Sequence, residues 1–368
     1  MINNYKSIVI KIGSSSIVNS STKKIKSNWL IRLCEDIANL HKSKKIVIVC
    51  SGAIALGSKI IKNQKSLRRL ENKQAAAAAG QIELAHQWKL KLKKYNIDAA
   101  QLLLTLDDSE IRRRYLNARK TIDALHKNNI IPIINENDTV ATEEIRFGDN
   151  DRLAARVSQM INADLLILLS DIDGLYSSNP IKYKNAEKIK RVRKIDDYIE
   201  KMASSKSSNF GSGGMTTKII AAKICMSNGC ATIITSSNKK RPLLDIKFEN
   251  STIFYAKTSL QSSRKQWLLN HLHPSGSVVI DDGAHKAIIQ NKSLLPAGIM
   301  ELKGRFKRGD VITILNSKNA KIGIGVSAYD INDAKKIIGK KTRDISQILG
   351  YEGRDEMIHK DDLVKISQ

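Results

Sequence analysis

Two lysines and a dense group of carboxamides and carboxylates are the residues in this sequence best suited to chemistry. Lys11 closes an apolar run, "IVIK", and is followed by Gly13 and three serines. Lys218 follows the small-residue turn "GSGGMTT" and opens a helical pattern. A glycine-rich turn into a helix start presents oriented N–H groups and the positive end of the helix dipole, an arrangement that favours phosphate. Lys11, Lys218 and that turn together make a cationic clamp for a phosphoryl group. Lys11 does not sit in the GxxxxGK[ST] spacing of a Walker loop.

Between the lysines lie two clusters rich in Asn and Asp. "IPIINENDTV" supplies Asn135, Asn137 and Asp138, and "FGDNDRLAARVSQM" supplies Asp149, Asn150 and Asp151. Amide side chains both donate and accept hydrogen bonds, which suits the ammonium and carboxylate of an amino acid, and Asp adds counter-charge. The D-x-D-x-D-G spacing of a calcium loop is not found. Turn formation accounts for single residues of this kind; two clusters on consecutive elements point to a site. Ser51 and Gly52 end the strand pattern "KIVIVC" and open a helix, where small residues let a ligand approach the backbone. A serine-nucleophile reading lacks the G-x-S-x-G elbow. Ser170, Asp171 and Asp173 follow the strand pattern "LLILL".

These residues fit phosphoryl transfer, which demands positioning and neutralisation of phosphate oxygens more than covalent help. A carboxylate acceptor, with a pKa of about 4.3, is already ionised at pH 7 and needs no general base. That agrees with the lack of an obvious catalytic histidine; His86 and His126 read as surface or packing residues.

The elements that must position these side chains alternate strand and helix over roughly the first 255 residues. "SIVIKIG", "KIVIVC", "DAAQLLLT", "IIPIIN", "DLLILLSD" and "CATIIT" read as strands, and "NWLIRLCEDIANLHKS", "QAAAAAGQIELAHQWKLKLKK", "YLNARKTIDALHKN", "RLAARVSQMIN" and "KIIAAKICMSNG" as helices. Such alternation predicts an α/β fold with a mostly parallel open sheet sandwiched by helices. The pattern changes near residue 256. "SRKQWLLNHLHPSG" reads as a connector, and "GSVVID", "GIMELKG", "DVITILN" and "KIGIGVSAY" as short strands of a small, mainly-β barrel with one or two helices.

The chain has 368 residues and a formal charge of +26. Residues 274–368 hold 16 Lys and Arg against 12 Asp and Glu, a net of +4. The rest of the charge is scattered with few aromatics, which argues for a solvated surface and against a nucleic-acid footprint. No apolar run approaches the roughly 20 residues of a membrane span, and the N-terminal residues lack the pattern of a secretion signal. Cys34, Cys50, Cys225 and Cys230 form no CxxC pair, as expected of reduced thiols in a cytoplasmic protein. Cys50 reads as a small buried strand end rather than a nucleophile.

"KIGSSS", "SGAIALG", "QAAAAAGQ", "RYLNA", "INENDTV", "FGDND", "LLSDIDGLY" and "GSGGMTTK", in this order, resemble the signature segments of the amino acid kinase family. "GSVVIDDGA", "SLLPAGI", "GRFKRGDVI" and "ILGY" resemble a PUA domain. The resemblance covers nearly the whole chain. It implies a kinase domain over 1–255, a linker over 256–273 and a PUA domain over 274–368. It further implies transfer of a phosphoryl group from ATP to the side-chain carboxylate of L-glutamate, giving L-glutamyl 5-phosphate, the first step of proline biosynthesis from glutamate. Lys11 and Lys218 would bracket the phosphoryl group and Asp151 would orient them. Ser51, Gly52, Asp138 and Asn150 would hold glutamate. Lys11, Ser170, Asp171, Gly211, Ser212, Gly213, Gly214, Met215, Thr216, Thr217 and Lys218 would line the ATP side. Mg²⁺ would arrive on the nucleotide phosphates, with no dedicated protein metal site. The resemblance also implies a homo-oligomer (dimer or tetramer), inhibition by proline, and transient contact with glutamyl phosphate reductase.

Small departures from the family pattern are Cys50, where serine is common, and Ser212 and Thr216 in the glycine turn. A kinase for another carboxylate, such as N-acetylglutamate or aspartate, is the sibling reading; "FGDND" and the appended β module favour glutamate. An RNA-binding or RNA-modifying protein is the reading from another class, weakened by the module's low net charge.

Overall fold

The computed structural model describes residues 2–61, 67, 69–140, 150–204, 214–256 and 274–366. It forms two compact units, Met1–Leu260 and Gln261–Gln368. The expected linker, apart from Ala256, lies outside the described residues.

The first unit is built on an eight-stranded sheet. Its strands are β1 (Ser7–Ile12), β2 (Lys45–Cys50), β3 (Ala99–Leu104), β4 (Ile131–Glu136), β5 (Leu165–Ser170), β8 (Arg191–Val192), β9 (Ala231–Ser236) and β10 (Ser251–Phe254), in the order β3-β4-β2-β1-β5-β9-β10-β8. The short β6 (Leu175–Tyr176) and β7 (Lys188–Ile189) pair as a separate hairpin. From β3 to β9 every pairing is parallel. The strand β10 turns back, antiparallel to β9, and β8 pairs parallel with it. The strands β6 to β8 are two residues each, too short for a periodicity to reveal in sequence.

Strand alternation divides the core between two faces. Ile8, Ile10, Ile12, Ile46, Ile48 and Ile167 pack with Leu30, Leu33 and Ile37 of α2 (Ser27–His41) and with Leu84, Trp88 and Leu92 of α4 (Leu70–Lys93). Val9, Val47, Val49, Leu166 and Leu168 face the other way. They pack with Ile122 of α6 (Arg112–Lys127), with Leu153, Val157 and Met160 of α7 (Asn150–Ile161), and with Ile219, Ala222 and Cys225 of α9 (Met215–Ser227). Three shorter helices, α1 (Ser14–Ile17), α5 (Leu106–Glu110) and α8 (Asp197–Ser204), occur along the same stretch of chain. Full burial of each such core side chain stabilises the fold by about 1.5–3 kcal/mol, which is why the strands read as continuous apolar runs.

One helix pair makes a backbone contact. The last residue of α3 (Ala53–Gly57) and Gly80 of α4 face each other so closely that a Cβ on Gly57 would lie 1.8 Å from the Ala76 carbonyl oxygen. A Cβ on Gly80 would lie 1.9 Å from that of Ala53. The "AAAAAG" segment is therefore a small-residue face for helix packing as well as a strong helix former. In "SGAIALG" only Gly52 answers to the turn, with φ +119°.

The second unit carries a five-stranded sheet of β11 (Gly276–Ile280), β12 (Ile299–Gly304), β13 (Val311–Leu315), β14 (Lys321–Val326) and β15 (Leu363–Lys365), ordered β12-β11-β13-β14-β15. The sequence pattern anticipates four of these strands; β15 is three residues long and escapes it. Helices at Asp282–Ile289, Ile331–Ile337 and Ile345–Leu349 accompany the sheet, one more than the sequence suggests. Val278, Ile280, Phe306, Ile312, Ile314 and Ile337 form its own core.

Candidate active site

Of the side chains singled out by sequence, Lys11, Ser51, Asn135, Asp138 and Ser170 lie at or just beyond the carboxyl ends of parallel strands, where open α/β sheets bind ligands. Lys11 is the penultimate residue of β1. Alternation puts it on the same face as Val9, toward α7 and α9. There its Nζ lies 2.6 Å from Oδ1 of Asp151, in the first turn of α7. Nζ of Lys218, in the first turn of α9, lies 3.2 Å from Oδ2 of the same carboxylate. The Thr217 hydroxyl donates to that oxygen at 2.8 Å. Lys11 is 7% exposed, Lys218 5% and Asp151 not at all, so two ammonium groups share one buried carboxylate.

Burial by itself would push the Asp151 carboxyl up. The Lys11 ammonium, then that of Lys218, overrides it and holds the group down at about 2. The triad thus keeps a net positive charge out of bulk water. Such a charge is costly unless an anion arrives to share it. Gly13 follows Lys11 closely: a Cβ there would sit 3.9 Å from the lysine Nζ. Gly214 precedes α9, and a Cβ on it would meet nothing within 4 Å among the described residues.

A second cluster is uncharged. Asn150, one residue before Asp151, donates from Nδ2 to the Ser51 hydroxyl at 2.5 Å and to Oδ1 of Asn135 at 3.1 Å. Its Nδ2 also faces the Cys50 carbonyl at 3.4 Å. Asn135, on β4, donates in turn to Oε1 of Gln81 on α4 at 2.7 Å. The remaining oxygen of Asn150, Oδ1, is buried and has no hydrogen-bond partner among the described residues. Ser51 is fixed to the sheet by its N–H, which donates to the Ile12 carbonyl at 3.1 Å. Asp138 follows β4, half-buried, and burial pushes its carboxyl up to about 6.

On the other side, the Ser170 hydroxyl at the end of β5 donates to Oδ1 of Asp171 at 2.9 Å. The Ser170 carbonyl accepts from the Ser237 N–H beyond β9 at 2.7 Å. The structure therefore unites Lys11, Asp151, Thr217 and Lys218 in one cluster and Ser51 with Asn150 in another, joined through consecutive residues of α7. Met215 and Thr216 lie with Thr217 in the first turn of α9. Gly211, Ser212, Gly213 and Asp149 lie outside the described residues. Sequence reasoning missed Gln81, whose role shows only through Asn135. Cys50 is fully buried and its thiol is pushed up to about 12 by that burial, so it has no nucleophilic character. The Nε2–H of His126 donates to the Ile46 carbonyl, 3.1 Å away, as a packing residue. Among the described residues no group of three His, Cys, Asp or Glu could hold a metal ion, and no helix is long and apolar enough to cross a membrane.

A parallel α/β sheet that brings one lysine from a strand end and another from a helix start to a single buried carboxylate defines a domain suited to phosphoryl transfer. The sequence model of the amino acid kinase family matches residues 6–236, and the chain belongs to that family. A PUA domain model matches residues 276–349. The chain is 48% identical to the glutamate 5-kinase of Paramagnetospirillum magneticum over 98% of its own length and 97% of that protein. It is 49% identical to glutamate 5-kinase 1 of Rhizobium meliloti over 98% of its length and 92% of that protein. Among solved structures, carbamate kinase from Giardia lamblia bound to AMP-PNP superposes with a TM-score of 0.49 at 17% identity, covering 68% of this chain and 98% of that one.

Proposed function

We propose that the protein transfers the γ-phosphoryl group of ATP to the side-chain carboxylate of L-glutamate, giving ADP and L-glutamyl 5-phosphate. The observation that carries this reading is the pair of buried lysines, 2.6 and 3.2 Å from one buried carboxylate. Full-length relatives named glutamate 5-kinase support the choice of acceptor.

In this mechanism a carboxylate oxygen of glutamate attacks phosphorus, an O–P bond forms, and the bond to the ADP oxygen breaks. Lys11 and Lys218 neutralise the oxygens of the migrating group from two sides. Such preorganised charge is worth most in a water-excluded site. Asp151 holds both ammonium groups in place and lowers the cost of burying them. Asn150, Ser51, Gly52 and Asp138 receive the amino acid, its ammonium going to the Asp138 carboxylate and to Oδ1 of Asn150, which has no partner among the described residues. Ser170, Asp171 and the turn from Gly211 to Thr217 line the nucleotide. Both Asp151 oxygens are taken by lysines, so the described residues suit a Mg²⁺ that is held by ATP phosphates rather than by a protein cage. Mg²⁺ bound there would withdraw charge from the phosphate oxygens.

The same reading makes the product the first intermediate of proline biosynthesis, with proline as a feedback inhibitor and glutamyl phosphate reductase as the enzyme that receives the labile product. A cytoplasmic homo-oligomer, with a domain boundary in the 256–273 stretch, completes it. The test is direct. Purified protein with ATP, Mg²⁺ and glutamate should release ADP well above a control without glutamate. Equal release in both, or faster turnover of aspartate or N-acetylglutamate, would defeat the reading.

A further inference from the structure

The neutral cluster has a direction, and Gln81 is where it ends. The Cys50 backbone carbonyl can only accept, so the face of Asn150 toward Cys50 and Ser51 must be its NH₂ group. That NH₂ also donates to Asn135, so Asn135 presents its oxygen to Asn150 and its own NH₂ to α4. There the acceptor is Oε1 of Gln81, at 2.7 Å. Each amide thereby fixes the next. Two consequences reach the site. Asn150 is left with a buried acceptor, Oδ1, that has no partner among the described residues. Ser51, having accepted from Asn150, keeps its own hydroxyl proton to give. One end attracts a donor and the other an acceptor.

We infer that Gln81 is a positioning residue for substrate selection: by accepting from Asn135 it holds in place the amide chain whose other end offers the Asn150 oxygen to an α-ammonium and the Ser51 proton to an α-carboxylate. The chain selects a zwitterionic amino acid over a plain dicarboxylate. This inference rests on the glutamate reading above and adds a residue outside the direct contacts. Without the Gln81 acceptor, the NH₂ of the buried Asn135 is left without its partner on α4. Asn135 then shifts to find another, its hold on the Asn150 NH₂ weakens, and the Asn150 oxygen is no longer fixed toward the incoming ammonium.

The experiment compares Gln81→Met, which removes the acceptor, with Gln81→Glu, which keeps an acceptor toward Asn135. Readouts are the KM for glutamate, the KM for ATP, kcat, and inhibition by glutarate, which lacks the ammonium. In Gln81→Met the glutamate KM should rise about tenfold and the preference for glutamate over glutarate should fall by a similar factor, the scale of one buried hydrogen bond. Its ATP KM should hold. Gln81→Glu should stay within about threefold of the wild type in every readout, since its carboxylate still accepts. Gln81→Ala repeats the removal should the methionine variant fail to fold. A removal variant that keeps the wild-type preference overturns the inference, as does a glutamate variant as impaired as the methionine one. A parallel loss of kcat and ATP affinity also overturns it by showing a merely structural role. A wild-type chain that turns over no glutamate overturns the function itself, whereas these outcomes with an active wild type overturn the inference alone.

Discussion

The two halves of the site solve opposite problems with adjacent residues of α7. Asp151 belongs to a charged cluster, in which two ammonium groups are tolerated only because a carboxylate lies between them. Asn150 belongs to a neutral one, in which its NH₂ is paired and its oxygen has no partner among the described residues. The charged cluster can stabilise charge that develops during reaction but discriminates weakly, since a Coulomb field attracts any anion. The amide cluster supplies little field, yet its directionality separates donor from acceptor, and an unmatched buried polar group costs roughly 1–3 kcal/mol. Catalytic power and selectivity are therefore expected to come apart under mutation.

Asp151→Ala tests the charged half most severely. It leaves two buried ammonium groups without their counter-charge, and a loss of roughly 3–5 kcal/mol in folding stability is expected. Urea unfolding of the full chain measures it; a loss under about 1 kcal/mol would mean the lysines do not depend on Asp151. The same carboxylate gives an acid signature. Its pKa is held at about 2, below its unfolded value, so its contribution is complete above about pH 4 and lost as the pH falls toward 2.

Next in size, Lys218→Ala should cut kcat by roughly two or more orders of magnitude, the scale of losing one preorganised electrostatic group. The glutamate KM should change little, which sets it apart from the amide half. Asn150→Ala should do the reverse, raising the glutamate KM about tenfold with a smaller effect on kcat. If both variants changed kcat and KM alike, the separation of roles would fail. The smallest effect is in pH. Asp138 is pushed up to about 6, so the carboxylate proposed to meet a substrate ammonium is progressively protonated below that value. The glutamate KM should rise as the pH falls from about 7 to 5. Asp138→Asn should flatten that profile, and a wild-type KM that stays level over this range would remove Asp138 from substrate binding.

Much of this architecture is legible in the amino-acid pattern. Apolar runs mark all six long strands of the first sheet, 3.6-residue spacing marks α2, α6 and α7, helix-forming composition marks α4, and a closing Gly marks α9. What escapes is short or non-local. The two-residue strands carry no period. The reversal at β10 depends on a partner from elsewhere in the chain. The contact of Gly57 with Gly80 looks in sequence like ordinary helix and turn chemistry. In the site, Lys11, Lys218, Asn150 and Ser51 stand out by type and position. Gln81 does not, because a glutamine within a helix is the least informative of residues until something accepts or donates across from it.

Sequence by itself determined which residues face which side of the sheet, since strand and helix periods are local and follow from side-chain geometry. It also determined the stock of charges and amides available at the strand ends. Tertiary structure alone decided the pairings: that β1 lies between β2 and β5, that two remote ammonium groups meet on Asp151, and that the amides run from Gln81 to Asn150. Those contacts depend on strand order and helix approach. They are set by the packing of the whole core, which no local spacing encodes.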